Sequence, residues 1–229
     1  MQTQAAIRTA SPRQPAAQLP NGPLPRNRPS ADVIELMGTV MPFGRNSEIY
    51  GENEPAEYLY KVISGTVRTY KVLVDGRRQI SAFHAPGDVF GFESGEEHTF
   101  SAEAITDCWI AIIKRTALMA AAARDNEVAR YMWGLTTREL QRAQAHTLLL
   151  IKGAQERVAT FLLEMAERVP TGATVELEMS RQDIADYLGL TIETVSRTLN
   201  KLGKTATIEL SSARRIVLRD HSALSRLNS

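Results

Sequence analysis

Residues 180–202 read SRQDIADYLGLTIETVSRTLNKL, and their reading decides the fold. Ser180 stands as a helix N-cap with Asp183 in the reciprocal third position, and Gly189 supplies the sharp turn out. Thr191 caps a second helix. Two short helices about a glycine turn make a helix-turn-helix, whose second helix enters the major groove of DNA with its first turns. Counted from Ile192, Glu193, Ser196 and Arg197 fall at roughly 100, 40 and 140 degrees on a helical wheel, whereas Val195, Leu199 and Leu202 cluster at roughly 280 to 340 degrees. A solvated helix surface accounts for Glu193 and Arg197 as an ordinary i, i+4 pair. Base reading accounts for all three: Arg can donate twice to guanine, Glu can accept from cytosine N4, and a Ser hydroxyl serves either role.

Working outward, VELEM precedes this segment and TIELSSARRIVLRD follows it as two strands about a polar turn, the pattern of a winged helix. From Arg197 to the C-terminus seven basic residues (Arg197, Lys201, Lys204, Arg214, Arg215, Arg219, Arg226) stand against Glu209 and Asp220, a stripe of the kind phosphates require. Arg214 and Arg215 fall at the hairpin tip, as a solvated turn or as a wing touching the DNA backbone. Upstream, ERVATFLLEMAERV (156–169) is amphipathic and is stopped by Pro170 and Gly172.

The stretch after Arg115 is rich in helix formers and predicts one long helix over 117–151. Val128, Met132, Leu135, Ala143, His146, Leu149 and Leu150 fall near a heptad-like seam, interrupted by Glu139 and Arg142. Such a seam either packs on the protomer's own barrel or pairs with a twin across a dimer axis, and the dimerisation reading takes these seven residues. Residues 31–116 carry strand signals: YLYKVI, TVRTYKVLV and RRQISAF, with Asp75-Gly76 as a hairpin turn between the last two. Seven of the 14 glycines lie between Gly44 and Gly95, spaced as turns of an antiparallel β-roll or jelly roll. Residues 1–30 hold six of the ten prolines, four arginines and no acid, and are expected to form a disordered arm. The fold class is therefore α+β: an N-terminal antiparallel β-roll, a long dimerisation helix, and a C-terminal winged helix-turn-helix over 152–229.

Composition sets the limits. The 27 Lys and Arg against 26 Asp and Glu exclude a polycation that coats nucleic acid indiscriminately. A single cysteine, Cys108, excludes an internal disulfide framework and any site of several thiolates, and fits a reducing, cytoplasmic setting. No run reaches the roughly 18 apolar residues of a membrane span.

GTVRTYKVLVDGRRQISAFHAPGDVFGF, the long helix, LLLIKGAQERVATFLLEMAER and SRQDIADYLGLTIETVSR together resemble the CRP/FNR family of bacterial transcription regulators over about residues 32–220. The E-x-x-S-R signature stands at Glu193, Ser196 and Arg197, and YLGLTIETVSR is nearest the FNR and FixK-type branch. The resemblance implies a homodimer on a TTGA…TCAA palindrome that recruits RNA polymerase as an activator, and, for the FixK type, nitrogen fixation and the oxygen response. It implies base readers at Ile192, Glu193, Ser196 and Arg197, and phosphate contacts at Arg181, Gln182, Thr191 and Thr194. Ser180, Lys201, Arg214 and Arg215 are counted with the phosphate contacts.

The departures matter as much. Where the family's cyclic-AMP binders carry a Glu and an Arg-Ser pair, this chain has Phe92, and Phe100 followed by Ser101, so a cyclic phosphate would lack its guanidinium partner. The four cysteines of the iron-sulfur members are missing, and His84, His98 and His146 stand singly. The expectation is a regulator without cofactor, metal or small effector, and not an enzyme. Two other readings stay open: a cupin-like barrel enzyme, which needs clustered histidines, and a ligand-sensing module whose winged helix binds protein.

Overall fold

A computed structural model describes residues 33–168 and 174–227. The expected arm over residues 1–30 and the helix stop at Pro170 and Gly172 lie outside them. The N-terminal half is a short helix, α1 (Val33–Met37), and a roll of two four-stranded antiparallel sheets. One has the order β1 (Thr39–Phe43), β8 (Cys108–Lys114), β3 (Tyr58–Ser64), β6 (Val89–Phe90). The other has the order β2 (Glu48–Tyr50), β7 (Ser101–Ala104), β4 (Val67–Val72), β5 (Arg78–His84). Strand β8 shows why these residues layer as they do. Cys108 and Ile110 point into the roll with Tyr50, Tyr60, Val62, Val67 and Phe90, while Ala111 and Ile113 meet the helices on the outer face. Both faces are covered, so the strand is apolar from Cys108 to Ile113.

The β4–β5 hairpin forms at Asp75-Gly76, with Gly76 at φ 82°. Its loop is wider than a two-residue turn: Leu73 N donates to Arg77 O, enclosing three residues. A register shift opposite Ser81 has a larger effect, since Thr69 pairs with Ala82 but Tyr70 with Ile80. The bulge re-aims the side chains beyond it, so that Arg68, Tyr70, Arg78, Ile80 and Phe83 share one face of the sheet. That face receives the C-terminal half.

The helical stretch departs from expectation in two ways. It is not one helix over 117–151: α2 (Arg115–Ala122) ends, and Asp125 caps α3 (Asn126–Leu150) by accepting from Glu127 N at 2.8 Å. An N-cap aspartate starts a new helix rather than continuing one. Part of the predicted seam is also committed to packing within the protomer. Val128 and Leu135 are buried with Leu59, Val89 and Leu118 of their own protomer, and Leu149 is buried with the C-terminal core. Met132 and Leu150 are half-buried, His146 stacks on Tyr187, and Ala143 alone is exposed. Side chains already packed inside the protomer cannot also interlock with a twin. The opposite flank carries Trp133 at 76 % exposure, Leu140 at 57 %, Leu148 at 61 % and Ile151 at 79 %. These four fall on a stripe roughly 80 degrees wide, facing away from Leu135. The apolar period was real, but period alone does not say which surface is used within the chain.

The C-terminal half comprises α4 (Ala154–Glu167), β9 (Thr174–Glu176), α5 (Arg181–Leu188), α6 (Ile192–Lys204), β10 (Ile208–Leu210), β11 (Arg215–Leu218) and α7 (His221–Leu227). Strands in the order β10, β11, β9 form the small sheet beside the helices. Its core of Phe161, Leu162, Ile184, Leu188, Val195, Leu199, Leu202 and Ile216 is continuous with Ile80 and Phe83 of β5. Among the described residues no helix is long and apolar enough to cross a membrane.

Candidate nucleic-acid interface

The helix pair is built by local chemistry. Ser180 Oγ accepts from Asp183 N at 3.0 Å, and the Asp183 carboxylate accepts from Ser180 N at 3.0 Å, closing a capping box. Gly189, at φ 61°, takes the left-handed turn that a side chain would resist. Thr191 Oγ1 then accepts from Thr194 N at 3.2 Å and starts α6. Val195, Thr198, Leu199 and Leu202 are buried beneath α6, whereas Ile192, Glu193 and Arg197 are exposed and Ser196 is half-buried. The four predicted base readers therefore lie together at the open N-terminal end of one helix.

Glu193 is held ionised. A hydrogen bond from its own amide, the Thr191 hydroxyl and the nearby Arg197 guanidinium keep its carboxyl below the usual range. Arg197 lies along the helix, with Nε 3.4 Å from Glu193 O, and its guanidinium is open to solvent.

The predicted phosphate contacts divide into groups. Thr191, Thr194 and Gln182 line an open cleft with Ile192 and Glu193, and its far wall is Leu73, Gly76, Arg77 and Arg78 of the β4–β5 hairpin. Gln182 is engaged, donating to Asp186 Oδ1 at 2.6 Å. Ser180 is exposed at the start of α5. Beside it Arg181 is half-buried, and its Nη1 has no hydrogen-bond partner among the described residues. Burial lowers its pKa, as expected of a guanidinium short of an anion. Lys201, one turn beyond Arg197, donates to Gln155 Oε1 of α4 at 2.9 Å. Arg214 and Arg215 are exposed where the wing turns, and both their amides donate to Ser212 Oγ, at 3.2 and 3.0 Å. They stand apart from the α6 cluster, on the wing.

The interior of the roll has a different character. Tyr50 stacks on His98 at 3.6 Å between centroids, Tyr60 on Phe90 at 5.3 Å, and His84 on Phe90 at 4.8 Å. The rings stack between the sheets. His84 Nε2 meets Thr69 Oγ1 at 3.1 Å, and burial pushes the imidazole down to about 4. Phe92 and Phe100 are half-buried. Burial also pushes the Cys108 thiol up, the opposite of a reactive thiolate.

Sequence reasoning missed the residues joining roll to head. Arg68 and Arg78 pair with Asp183 of α5, and Asp88 accepts from Arg142 of α3 and Arg168 of α4. The available signal was a pair of acids, Asp183 and Asp186, on a helix expected to lie beside phosphates.

Comparison with known proteins agrees with this division. The family described as Crp-like helix-turn-helix domain matches residues 156–227, and the family described as cyclic nucleotide-binding domain matches residues 40–125. The nitrogen fixation regulation protein FixK of Azorhizobium caulinodans is 55 % identical over 205 residues, covering 87 % of this chain and 83 % of that protein. Its namesake in Rhizobium meliloti is 44 % identical, with 89 % and 90 % covered. Among solved structures, FixK2 from Bradyrhizobium japonicum superposes with a TM-score of 0.80 at 53 % identity, covering 84 % of this chain and 98 % of that one.

Proposed function

The chain belongs to the CRP/FNR family, on its FixK-type branch, and is a DNA-binding transcription regulator rather than an enzyme; from this premise we propose that it acts as a homodimeric activator on a TTGA…TCAA-type palindrome, contacting RNA polymerase at promoters of nitrogen fixation and oxygen-response genes. The observation that carries the reading is the open polar face of α6, where Ile192, Glu193, Ser196 and Arg197 stand above a wholly buried flank. Arg197 reads guanine, Glu193 accepts from cytosine, Ser196 adapts, and Ile192 makes an apolar contact. Ser180, Arg181, Gln182, Thr191, Thr194 and Lys201 hold backbone phosphates around the helix pair, with Arg214 and Arg215 doing so from the wing.

The dimer forms along the exposed stripe of Trp133, Leu140, Leu148 and Ile151. Pairing two long helices there buries apolar surface that is otherwise wet. Activity does not depend on a cyclic nucleotide, because Phe92 and Phe100 stand at the positions where the family's cyclic-AMP binders carry polar anchors. Selection of bound sequences from a random duplex pool, followed by transcription of the winner with RNA polymerase, tests the proposal. A two-fold symmetric winner that raises transcription is expected; an asymmetric winner, or none, refutes it.

A further inference from the structure

A helix that lies beside DNA phosphates is a poor place for two carboxylates, yet α5 carries Asp183 and Asp186. Their partners come from the roll. Arg68 donates through Nη1 to Asp183 Oδ1 at 2.8 Å and through Nη2 to Glu103 Oε1 at 2.7 Å. Arg78 donates through Nη2 to the same Asp183 oxygen at 2.5 Å and through Nε to Asp186 Oδ2 at 2.8 Å. Both guanidinium groups lie over the Tyr70 ring, at 6.0 and 5.7 Å from its centroid. The network is shielded from water, the Asp183 side chain being 5 % exposed and those of Arg68 and Asp186 each 12 %.

Three features distinguish this network from an ordinary surface ion pair. Asp183 is also the capping-box residue of α5, so the arginines grip the atom group that fixes where the helix-turn-helix begins. Asp186 holds Gln182, a proposed phosphate contact, so the chain of bonds runs from β5 to the DNA-facing surface. Finally, the Ser81 bulge is what aims Arg68 and Arg78 at the same helix. A buried, multiply bonded pair contributes geometric definition more than net stability.

We propose that Arg68 and Arg78 are positioning residues that fix the orientation of the winged head on the roll, and so set the separation of the two reading helices in the dimer. The inference rests on the dimeric reading above. A palindrome presents its half-sites at one separation, about 34 Å for one helical turn. Heads on loose tethers accept a range of separations, because tethering depends only weakly on distance; braced heads accept one. The Arg142–Asp88–Arg168 contact and the His146–Tyr187 stack hold the same junction from the α3 side, leaving the roll arginines to define the tilt of α5.

The test uses the full chain and duplexes whose half-sites sit at the selected separation or are moved apart by one or two base pairs. Wild type is expected to prefer the selected separation by on the order of a hundredfold, and the Arg68→Ala/Arg78→Ala variant by less than about tenfold. Each affinity is divided by that of the same protein for a single half-site, so that a general loss of binding by one head cancels. A variant that keeps the wild-type preference overturns the inference and leaves the dimeric reading standing. A wild type indifferent to separation removes both. Because uncovering Asp183 can unfold the head, a milder pair provides a second decision: Arg78→Lys, which keeps a cation against Asp183 and Asp186, retains the preference, and Arg78→Gln loses part of it. Arg78→Gln with the full preference, at a wild-type melting temperature, also overturns the inference.

Discussion

In the roll, His84 and His98 are buried among Tyr50, Tyr60 and Phe90, whereas in the head Glu193, Ser196 and Arg197 occupy a helix flank open to water. Both regions are held by apolar cores of similar construction, yet they place their polar groups in opposite senses. The roll matches a cyclic nucleotide-binding domain over residues 40–125 and carries stacked rings between its sheets. The head has a small, well-capped core that leaves Ile192, Glu193, Ser196 and Arg197 together at one end of a helix. Aromatic packing marks the first region, and open polar side chains gathered at the start of α6 mark the second. Between them α3 repeats the contrast along one helix, with Leu135 facing inward and Leu140 outward.

The largest expected effect exploits α3. Leu135→Glu places a charge without a partner in the protomer core and should cost on the order of 4 kcal/mol or more of folding stability. Leu140→Glu, on the exposed stripe, should leave thermal unfolding of the protomer nearly unchanged while sedimentation shows monomers. If Leu140→Glu remains dimeric and Leu135→Glu folds normally as a monomer, the two faces have been assigned the wrong way round.

A smaller effect tests whether the roll is closed. His84 titrates near 6.5 when unfolded and at about 4 in the fold, because burial penalises the imidazolium. Its folded pKa is depressed, so the unfolded chain binds the extra proton between those values; stability is full above pH 6.5, falls as pH drops toward 4, and levels off below. The loss attributable to this one ring is roughly 3 kcal/mol. Comparing denaturation of wild type and His84→Gln across that window isolates it. Parallel curves would mean that His84 is wet and that the roll is open to a ligand.

The head was legible in the sequence because its signals are local. Ser180, Asp183, Gly189 and Thr191 specify two helices and a turn within a dozen residues, and the burial of Val195, Leu199 and Leu202 follows from period alone. The roll was legible as a class, through its glycine turns and strand-like runs. The junction was not. Arg68 and Asp183 are 115 positions apart, and the bulge at Ser81 inverts the alternation that would have shown which way Arg78 points. The division of α3 was hidden for a related reason: the helix is apolar on both flanks, and only the packed structure says that the protomer itself uses one of them.

In the proposed function α6 reads sequence through its exposed flank while the wing holds backbone phosphates. The direct measurement is duplex affinity of Arg197→Ala and Arg214→Ala, on matched and scrambled sites, at several salt concentrations. Arg197→Ala should cost about 1 to 3 kcal/mol per head on the matched site, relax preference at one base pair in each half-site, and leave scrambled DNA nearly unaffected. Arg214→Ala should weaken both duplexes alike and flatten the dependence of log affinity on log salt by about one unit for each phosphate no longer neutralised. Should Arg197→Ala weaken matched and scrambled duplexes equally, Arg197 is a phosphate clamp and the assignment of the reading face is contradicted.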